Sequence, residues 1–478
     1  MYNFYTYSYE GPLPLGSVVA HHCGAAGLVT AKEAHWQLSA VEGPSGYTLE
    51  VRVDGRVKQT FEGSVSTQGR TAIGAALLRY LRSEQGLDPV GEWGSLVGVR
   101  PTKLFHKRWD MTGSAEQAVE SIRRDYEVSD GKLALLKKVA TLQRPYVGAT
   151  PDEARHISVY GGIPFCQTRC TYCSFPFGLI QDYKRVADFV EAFRADSLQL
   201  ADLVRRYNLH VDSLYMGGGT PTSLDDEAFR NVLSAFKELH QPGREFTVEA
   251  GRPDSVTPDK LEAMKEHGVN RISINPQSMQ DHILKAIARG HKADDIRRLY
   301  DQVKEQTDFI VNMDFIAGLP EQNFGHMQEN LDYVCQARPE NVTIHTLALK
   351  RGSPLYDSGR TDTMPEEDVV KDMVAYSRER LEAAGYVPYY VYRQQYMRGQ
   401  LENIGYTLPG YACEYNIRIM EERQSILSVG PGSSSKWIGG AEYRQKKQHL
   451  PKDVSVYIDT LETLLRKRSL LSKQHWEG

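Results

Sequence analysis

The sequence predicts an α/β fold: parallel β/α units in the middle of the chain, a small α/β domain before them and a third domain after. Two observations carry this. Between 155 and 350, six β-rich runs are each followed by a helix-like segment, the alternation of parallel β/α units. The chemically unusual residues fall at the ends of those runs, where β/α barrels gather their active-site groups. In chain order this suggests a partial or full β/α barrel, or an open α/β sheet.

The first domain covers 1–150. "YTLEVRVDGRVKQTFEG" alternates around Asp54-Gly55, a hairpin signal. Helical patterns follow in "TAIGAALLRYLRSEQG" and "SAEQAVESIRRDYEVSDGKLALLKKVATLQ", and "RPYVGATPDEAR" links to the second domain, 151–378. Its strand runs are "HISVYGGIPF", "VDSLYMGGGT", "EFTVEAG", "RISINPQS", "FIVNMDFIAGLP" and "NVTIHTLAL". The helices between them include "RVADFVEAFRADSLQLADLVRRY", "DDEAFRNVLSAFKELH", "PDKLEAMKEHG" and "FGHMQENLDYVCQA". The third domain, 379–478, is rich in Tyr and Arg at "YVPYYVYRQQYMRG", turns at "SVGPGSSSKW" and ends in a basic helical tail.

Composition sets bounds. A chain of 478 residues exceeds one ordinary core. Hydrophobic residues make up 41% and charged ones 25%, the balance of a soluble globular protein. No apolar run is long enough for a membrane span, and "MYNFYTYSYEGPL" has no signal-peptide pattern. Six cysteines are too few for a disulfide framework and fit a reducing cytoplasm. A net charge of −4 argues against nucleic acid as a partner.

Three of those cysteines, Cys166, Cys170 and Cys173, lie in "CQTRCTYC". A structural zinc ion takes four protein ligands in paired spacing, and no second pair follows; His156 is the one further donor in reach. The other chemistry is an iron–sulfur cluster held by three thiolates, with one iron free for a small molecule. "GGGTPT", Gly217 to Thr222, ends the next run; glycines there let a ligand approach the backbone closely. Glu249, Gln277 and Asp314 sit at the ends of later runs, and Arg289 follows the fourth.

The C-x3-C-x2-C loop resembles that of the radical S-adenosylmethionine enzymes. "ISVYGGIPFCQTRCTYCSFPFG", "YMGGGTPTSL", "TVEAGRPDS", "RISINPQS", "NMDFIAGLP", "YYVYRQQYMRGQLENIGYTLPG", "YNIRIMEE" and the N-terminal "WGSLVGVRPTKLFHK" resemble the HemN/HemZ/HemW group, on the side of HemZ-type oxygen-independent coproporphyrinogen III oxidase (dehydrogenase). The resemblance implies a partial (β/α)6 radical-SAM barrel and a HemN-like C-terminal domain that covers substrate. It implies a [4Fe–4S] cluster on Cys166, Cys170 and Cys173. It also implies S-adenosylmethionine held by Tyr172, Gly217, Gly218, Gly219, Thr220, Glu249, Gln277, Arg289 and Asp314. Within that set, Gln277 and Asp314 would take the ribose, and Glu249 and Arg289 the amino-acid end. In HemN relatives a second adenosylmethionine binds beside the first. Relatives carry His where this chain has Gly162, and "YNIRIM" lacks the HNxxYW motif of the haem chaperones.

The implied reaction is an anaerobic step of haem biosynthesis. An adenosyl radical abstracts hydrogen from a propionate β-carbon; carbon dioxide leaves, and one electron passes to an unnamed acceptor. A flavodoxin or ferredoxin would supply the cluster's electron. Tyr160 matches a family tyrosine near the cluster and cofactor. Arg393 and Arg398 are placed to grip the carboxylates of a tetrapyrrole bidentately, and the nearby tyrosines to cover its ring. His345 ends the sixth run at the same rim. The alternatives are another tetrapyrrole-directed radical reaction, such as haem methylation with ring opening, or haem binding and trafficking without turnover.

Overall fold

The structure is a computed structural model; it describes residues 5–88, 90–98, 100–147, 154–175, 178–350, 352–358, 363–394, 401–440 and 443–477. Contacts divide the chain into two units, Met1–Thr141 with Val391–Glu402, and Leu142–Tyr390 with Asn403–Gly478. Among the described residues no helix is long and apolar enough to cross a membrane.

In the first unit, β1 (Thr6–Glu10), β2 (Val29–Thr30), β3 (Trp36–Gly43), β4 (Gly46–Val53) and β5 (Arg56–Gly63) form one sheet in the order β2-β1-β3-β4-β5. The hairpin turns at Asp54 and Gly55, both at positive φ (49° and 73°), as a two-residue turn matched to strand twist requires. Helices Leu13–Ala25 and Thr67–Glu84 bury Leu15, Val19, Ile73 and Leu77 in one core with Leu38, Leu49 and Val51 of the sheet. The "GVRPTKLFHK" stretch starts the helix Pro101–Thr112 with proline in the first turn, and it buries Phe105 and His106. Glu402 returns to this unit, accepting from Trp93 Nε1 at 2.9 Å and Lys132 Nζ at 2.6 Å.

Among the described residues eleven strands form one sheet, ten of them wholly in the second unit. β6 (His156–Ile163) opens it, and β7 (Phe165–Cys166) and β8 (Gly178–Leu179) form a small separate pair. Next come β9 (His210–Gly218), β10 (Glu245–Gly251), β11 (Arg271–Ile274), β12 (Ile310–Ala317) and β13 (Asn341–Thr346). With β6 these five are parallel neighbours in chain order. They are the six expected strands of a β/α barrel. The expected helices follow at Val186–Arg206, Asp226–Lys237, Pro258–Glu266 and Phe324–Ala337. Asp225, Thr257 and Asn323 cap the last three with their side chains.

The remaining strands close both flanks. β14 (Val387–Tyr392) and β15 (Asn403–Thr407) lie beyond β13, with β15 antiparallel to it. β16 (Ser425–Val429) lies parallel beside β6, followed by antiparallel β17 (Ser434–Gly439) and β18 (Arg444–His449). The sequence marked 379–478 as a unit of its own. In the structure Asn403–Gly478 clusters with the barrel and Val391–Glu402 with the first unit. Strand pairing is the cause, since β15 and β16 complete a sheet begun far upstream. The terminal helix Leu461–Trp476 is fastened the same way: Arg468 and Asp196, both fully buried, form an ion pair, and Tyr457 donates to Asp196 at 2.6 Å.

Along the barrel strands one face is apolar and buried, with Val159, Leu214, Val248, Ile272, Val311 and Ile344. The alternate residues include Tyr160, Tyr215, Glu249, Asp314 and His345, and these meet one another.

Candidate functional site

The cysteine loop leaves β7 and is tied down on three sides. Thr171 N–H donates to the Ile287 carbonyl (3.2 Å) and Thr168 Oγ1 to that of Ala288 (3.3 Å), both after β11. Arg252 Nη1 reaches Thr168 Oγ1 at 2.5 Å while its other nitrogens clasp Asp254 at 3.0–3.1 Å. From the segment after β13, the Gly352 carbonyl accepts from Arg169 (2.6 Å), and Leu355 N–H donates to Thr171 (2.7 Å). Cys166, Cys170 and Cys173 are free thiols, all half-buried. Burial pushes Cys166 up to about 11, and its neighbours Cys170 and Cys173 add to the rise. Burial also raises Cys173, and Cys170 adds to that rise, so thiols this close suit a cationic occupant.

Gly217, Gly218 and Gly219 are required by contact. A Cβ on Gly217 would stand 2.7–2.9 Å from the Glu249 carboxylate, and one on Gly219 would meet the Phe165 carbonyl. Gly218 has φ +113°, which side chains rarely adopt. The result is a strip laid against the root of the cysteine loop: Gly219 N–H donates to Ile163 (2.7 Å) and Thr220 N–H to Phe165 (2.6 Å). Thr220 Oγ1 lies 3.6 Å from Cys166 Sγ.

Glu249 sits where β10 shifts register between Glu249 and Gly251, a bulge that re-aims a side chain. Burial raises its pKa to about 7; Tyr215, donating at 2.6 Å, and the Gly218 N–H pull it down, while Asp314 pushes it further up. Burial also raises Asp314, but His345, Asn312 and Thr343 outweigh it and leave that carboxylate below its ordinary value. His345 Nε2 is 3.7 Å from Asp314 and Asn312 Nδ2 is 2.9 Å away.

Gln277 adopts φ +67°, strained for a side chain. Its N–H and carbonyl bridge Asp314 and Ile316 of β12, and its Oε1 is buried without a partner. Arg289 Nη2 donates to Tyr172 Oη at 3.3 Å and Nη1 to the Gly251 carbonyl at 3.5 Å, while Nε has no partner. His291, 5% exposed, has neither ring nitrogen paired, and burial lowers its pKa to about 4.

Below these groups three rings stack. Tyr215 and Tyr415 have centroids 4.5 Å apart, and Tyr160 lies 6.2 Å from Tyr215 and 6.1 Å from Tyr415. Burial raises the pKa of all three hydroxyls.

The second unit thus brings together the cysteines, Tyr172, the glycine strip with Thr220, Glu249, Gln277, Arg289, Asp314 and Tyr160. Arg393 belongs to the first unit, where its guanidinium donates to the Leu96 carbonyl and lies 5.0 Å from the Trp93 ring centroid. With 7% of its surface exposed, it is buried in that unit, where the Glu402 carboxylate acts on it. Arg398 falls outside the described residues. Of the tyrosines expected to cover a ring, Tyr389 and Tyr390 are buried, engaged by Asn416 and Thr343. Gly162 has its Cβ space taken by the Pro431 carbonyl, 2.9 Å away. Sequence reasoning missed Tyr215, Tyr415, Arg252 and His291. "ARGH" and "GRPDS" flank residues it did single out, and that adjacency was the available signal.

The Radical SAM superfamily model matches residues 161–334. The oxygen-independent coproporphyrinogen-III oxidase-like protein HemZ of Bacillus subtilis (strain 168) is 36% identical over 407 residues, 83% of this chain and 79% of that one. The heme chaperone HemW of Escherichia coli (strain K12) is 28% identical over 282 residues, 59% of this chain and 70% of that one. Among solved structures, the radical SAM enzyme coproporphyrinogen III oxidase (HemN) from Escherichia coli shares the fold. Its TM-score is 0.51 at 19% identity, covering 71% of this chain and 82% of that one.

Proposed function

The chain belongs to the radical SAM superfamily, in the group of HemZ, HemN and HemW, and we propose that it oxidatively decarboxylates two propionates of coproporphyrinogen III to vinyl groups. The product would be protoporphyrinogen IX, formed without oxygen. One observation carries the cofactor part: Gln277 Oε1 and Arg289 Nε are buried with no protein partner, and Arg289 bonds Tyr172 in the loop of three free thiols. Buried polar groups are nearly always paired, so this set fits a ligand with hydroxyls and charged ends.

The residues fit the family's [4Fe–4S] cluster and S-adenosylmethionine. Cys166, Cys170 and Cys173 would ligate the cluster, leaving one iron to the amino-acid end of the cofactor. Glu249 and the Gly217–Thr220 strip suit an ammonium group, and Arg289 suits a carboxylate. Gln277 and Asp314 suit ribose hydroxyls, and Tyr172 the adenine. When bound, the pair supplies one-electron hydrogen abstraction directed at the propionate β-carbon. The chain's own part is positioning and exclusion of water. Tyr160, Tyr215 and Tyr415 stack beside Glu249 and would keep water from that side of the cofactor.

The substrate rests on likeness to the HemZ protein over most of both chains. An anaerobic assay tests it, with reconstituted protein, dithionite, adenosylmethionine and coproporphyrinogen III. Protoporphyrinogen and 5′-deoxyadenosine are expected together, and both should vanish in Cys170→Ala. Cofactor cleavage with unchanged tetrapyrrole would sink the substrate and keep the cluster. Likeness to HemW favours a second reading, haem binding without turnover. Stoichiometric haem binding with no vinyl product would support that one.

A further inference from the structure

Two residues with opposite unmet hydrogen-bonding needs share one carbonyl. Gly251, at the end of β10, accepts from Arg289 Nη1 at 3.5 Å and from the Asn275 N–H at 3.3 Å. Among the described residues nothing bonds the Arg289 Nε donor or the Asn275 Oδ1 acceptor, and both atoms are buried. Asn275 follows β11 directly. Ser273, two residues earlier, pairs with Glu249 of β10 and with Asn312 of β12. Side chains alternate along a strand, so Asn275 returns to the face of Ser273 and Glu249, as Asp314 returns to that of Asn312. Pro276 confines the Asn275 backbone to extended conformations, which fixes where the amide is carried. A buried amide oxygen is costly to leave unpaired, and this one stands on the face that carries the cofactor groups.

We propose that Asn275 Oδ1 accepts a hydrogen bond from the methionyl ammonium of S-adenosylmethionine, with Arg289 on the carboxylate of the same amino-acid end. This rests on the cofactor assignment above and not on the tetrapyrrole substrate. An unmet donor and an unmet acceptor tied to one carbonyl match a zwitterion, whose carboxylate accepts and whose ammonium donates. A lone hydroxyl could answer both in form, but a guanidinium is met best by an anion, and the carboxylate brings its ammonium with it. An ammonium has three hydrogens to place. Glu249, the backbone of the Gly217–Thr220 strip and Asn275 would give it three acceptors, one of them neutral.

The test is equilibrium binding to anaerobically reconstituted full-length protein, without reductant so that nothing turns over. The probes are S-adenosylmethionine, its decarboxylated form, which keeps the amine, and 5′-methylthioadenosine, which has no amino-acid end. Asn275→Ala should weaken binding of the first two by about tenfold or more. Binding of the third should be unchanged, which also shows that the variant is folded. Asn275→Asp keeps an acceptor oxygen and should retain most of the affinity. If Asn275→Ala does not fold, Asn275→Ser carries the same comparison. Equal adenosylmethionine affinity in variant and wild type overturns the assignment. So does an equal loss for all three probes, which moves the contact to the nucleoside, or a loss for adenosylmethionine alone, which moves it to the carboxylate. If wild type binds no adenosylmethionine, the cofactor assignment falls, and this inference with it.

Discussion

The two ends of the barrel are built from the same strands and finished in opposite ways. At the N-terminal end, Glu245 accepts from the N–H groups of Glu414 (2.8 Å) and Tyr415 (3.0 Å), capping the helix Glu414–Glu421, and it also takes the Cys413 thiol. Arg271 joins Glu245, Asn341 and the carbonyls of Tyr411 and Ala412. Asp212 gathers His156 (2.9 Å), Gln424 (2.6 Å) and Arg418 (3.4 Å). Charges there are answered by protein, and the one loose donor among these groups, Arg271 Nε, still lies 3.4 Å from the Glu245 carboxylate. At the C-terminal end, Asn275 Oδ1, Gln277 Oε1, Arg289 Nε and both nitrogens of His291 lack partners, and Gln277 holds a strained φ. A fold satisfies its polar groups wherever it can. An end left unsatisfied and strained is one that something else completes.

Substitutions should therefore separate the ends. The largest effect is all-or-none: Cys170→Ala should abolish bound iron and cofactor cleavage while circular dichroism and the unfolding midpoint stay put. A collapsed fold would make the loop structural and blur the contrast. Next, Arg271→Met at the closed end should cost about 3–5 kcal/mol, because Glu245 is left buried without its cation. Denaturant titration reads that loss, and adenosylmethionine affinity should be unchanged in whatever protein remains folded.

Third comes pH. The Glu249 carboxyl is raised from 4.5 to about 7, so between those values the folded state holds a proton that the unfolded state has lost. Its contribution is therefore neutral below about 4.5 and destabilising as pH rises, reaching at most about 3 kcal/mol near pH 7. Glu249→Gln should flatten that part of the stability profile. Tyr215, Asp314 and Tyr160 also face this group. An ammonium ligand favours the carboxylate, so adenosylmethionine should bind wild type more tightly as pH rises through about 7, and Glu249→Gln should lose the trend. A profile parallel to wild type would show that Glu249 is not the titrating group.

The smallest effect has opposite signs in two assays. Gln277→Gly relieves about 1 kcal/mol of backbone strain and should hold or raise stability while cofactor affinity falls about tenfold. Lower stability with unchanged affinity would make Gln277 a structural residue and break the comparison.

Much of the open end was legible in the chain. "CQTRCTYC" and "GGGTPT" are local, and their meaning is chemical: thiolates in one loop, and glycines where a carboxylate and a carbonyl crowd the Cβ positions. Glu249, Gln277 and Asp314 were visible as polar residues closing β-rich runs. The closed end was not legible. Glu245 and Arg271 open their strands and look like ordinary surface charges until the helix Glu414–Glu421 arrives. Tyr415 reads as an amphipathic helix residue, yet it stacks on Tyr160 and Tyr215 inside the barrel. Arg393 reads as a cation available to substrate, and a fold-level contact with Leu96 and Trp93 encloses it.

The sequence by itself determined the β/α order, the cysteine loop and the glycine strip, because periodicity, spacing and the absence of a Cβ are properties of neighbouring residues. Tertiary structure alone decided that β16 pairs with β6, which brings Pro431 onto Gly162 and joins the C-terminal segment to the barrel. It also decided which cations are consumed, as Arg271 is by Glu245. Pairing between distant strands and the neutralisation of buried charge depend on what the fold places nearby, and no local stretch of sequence carries that information.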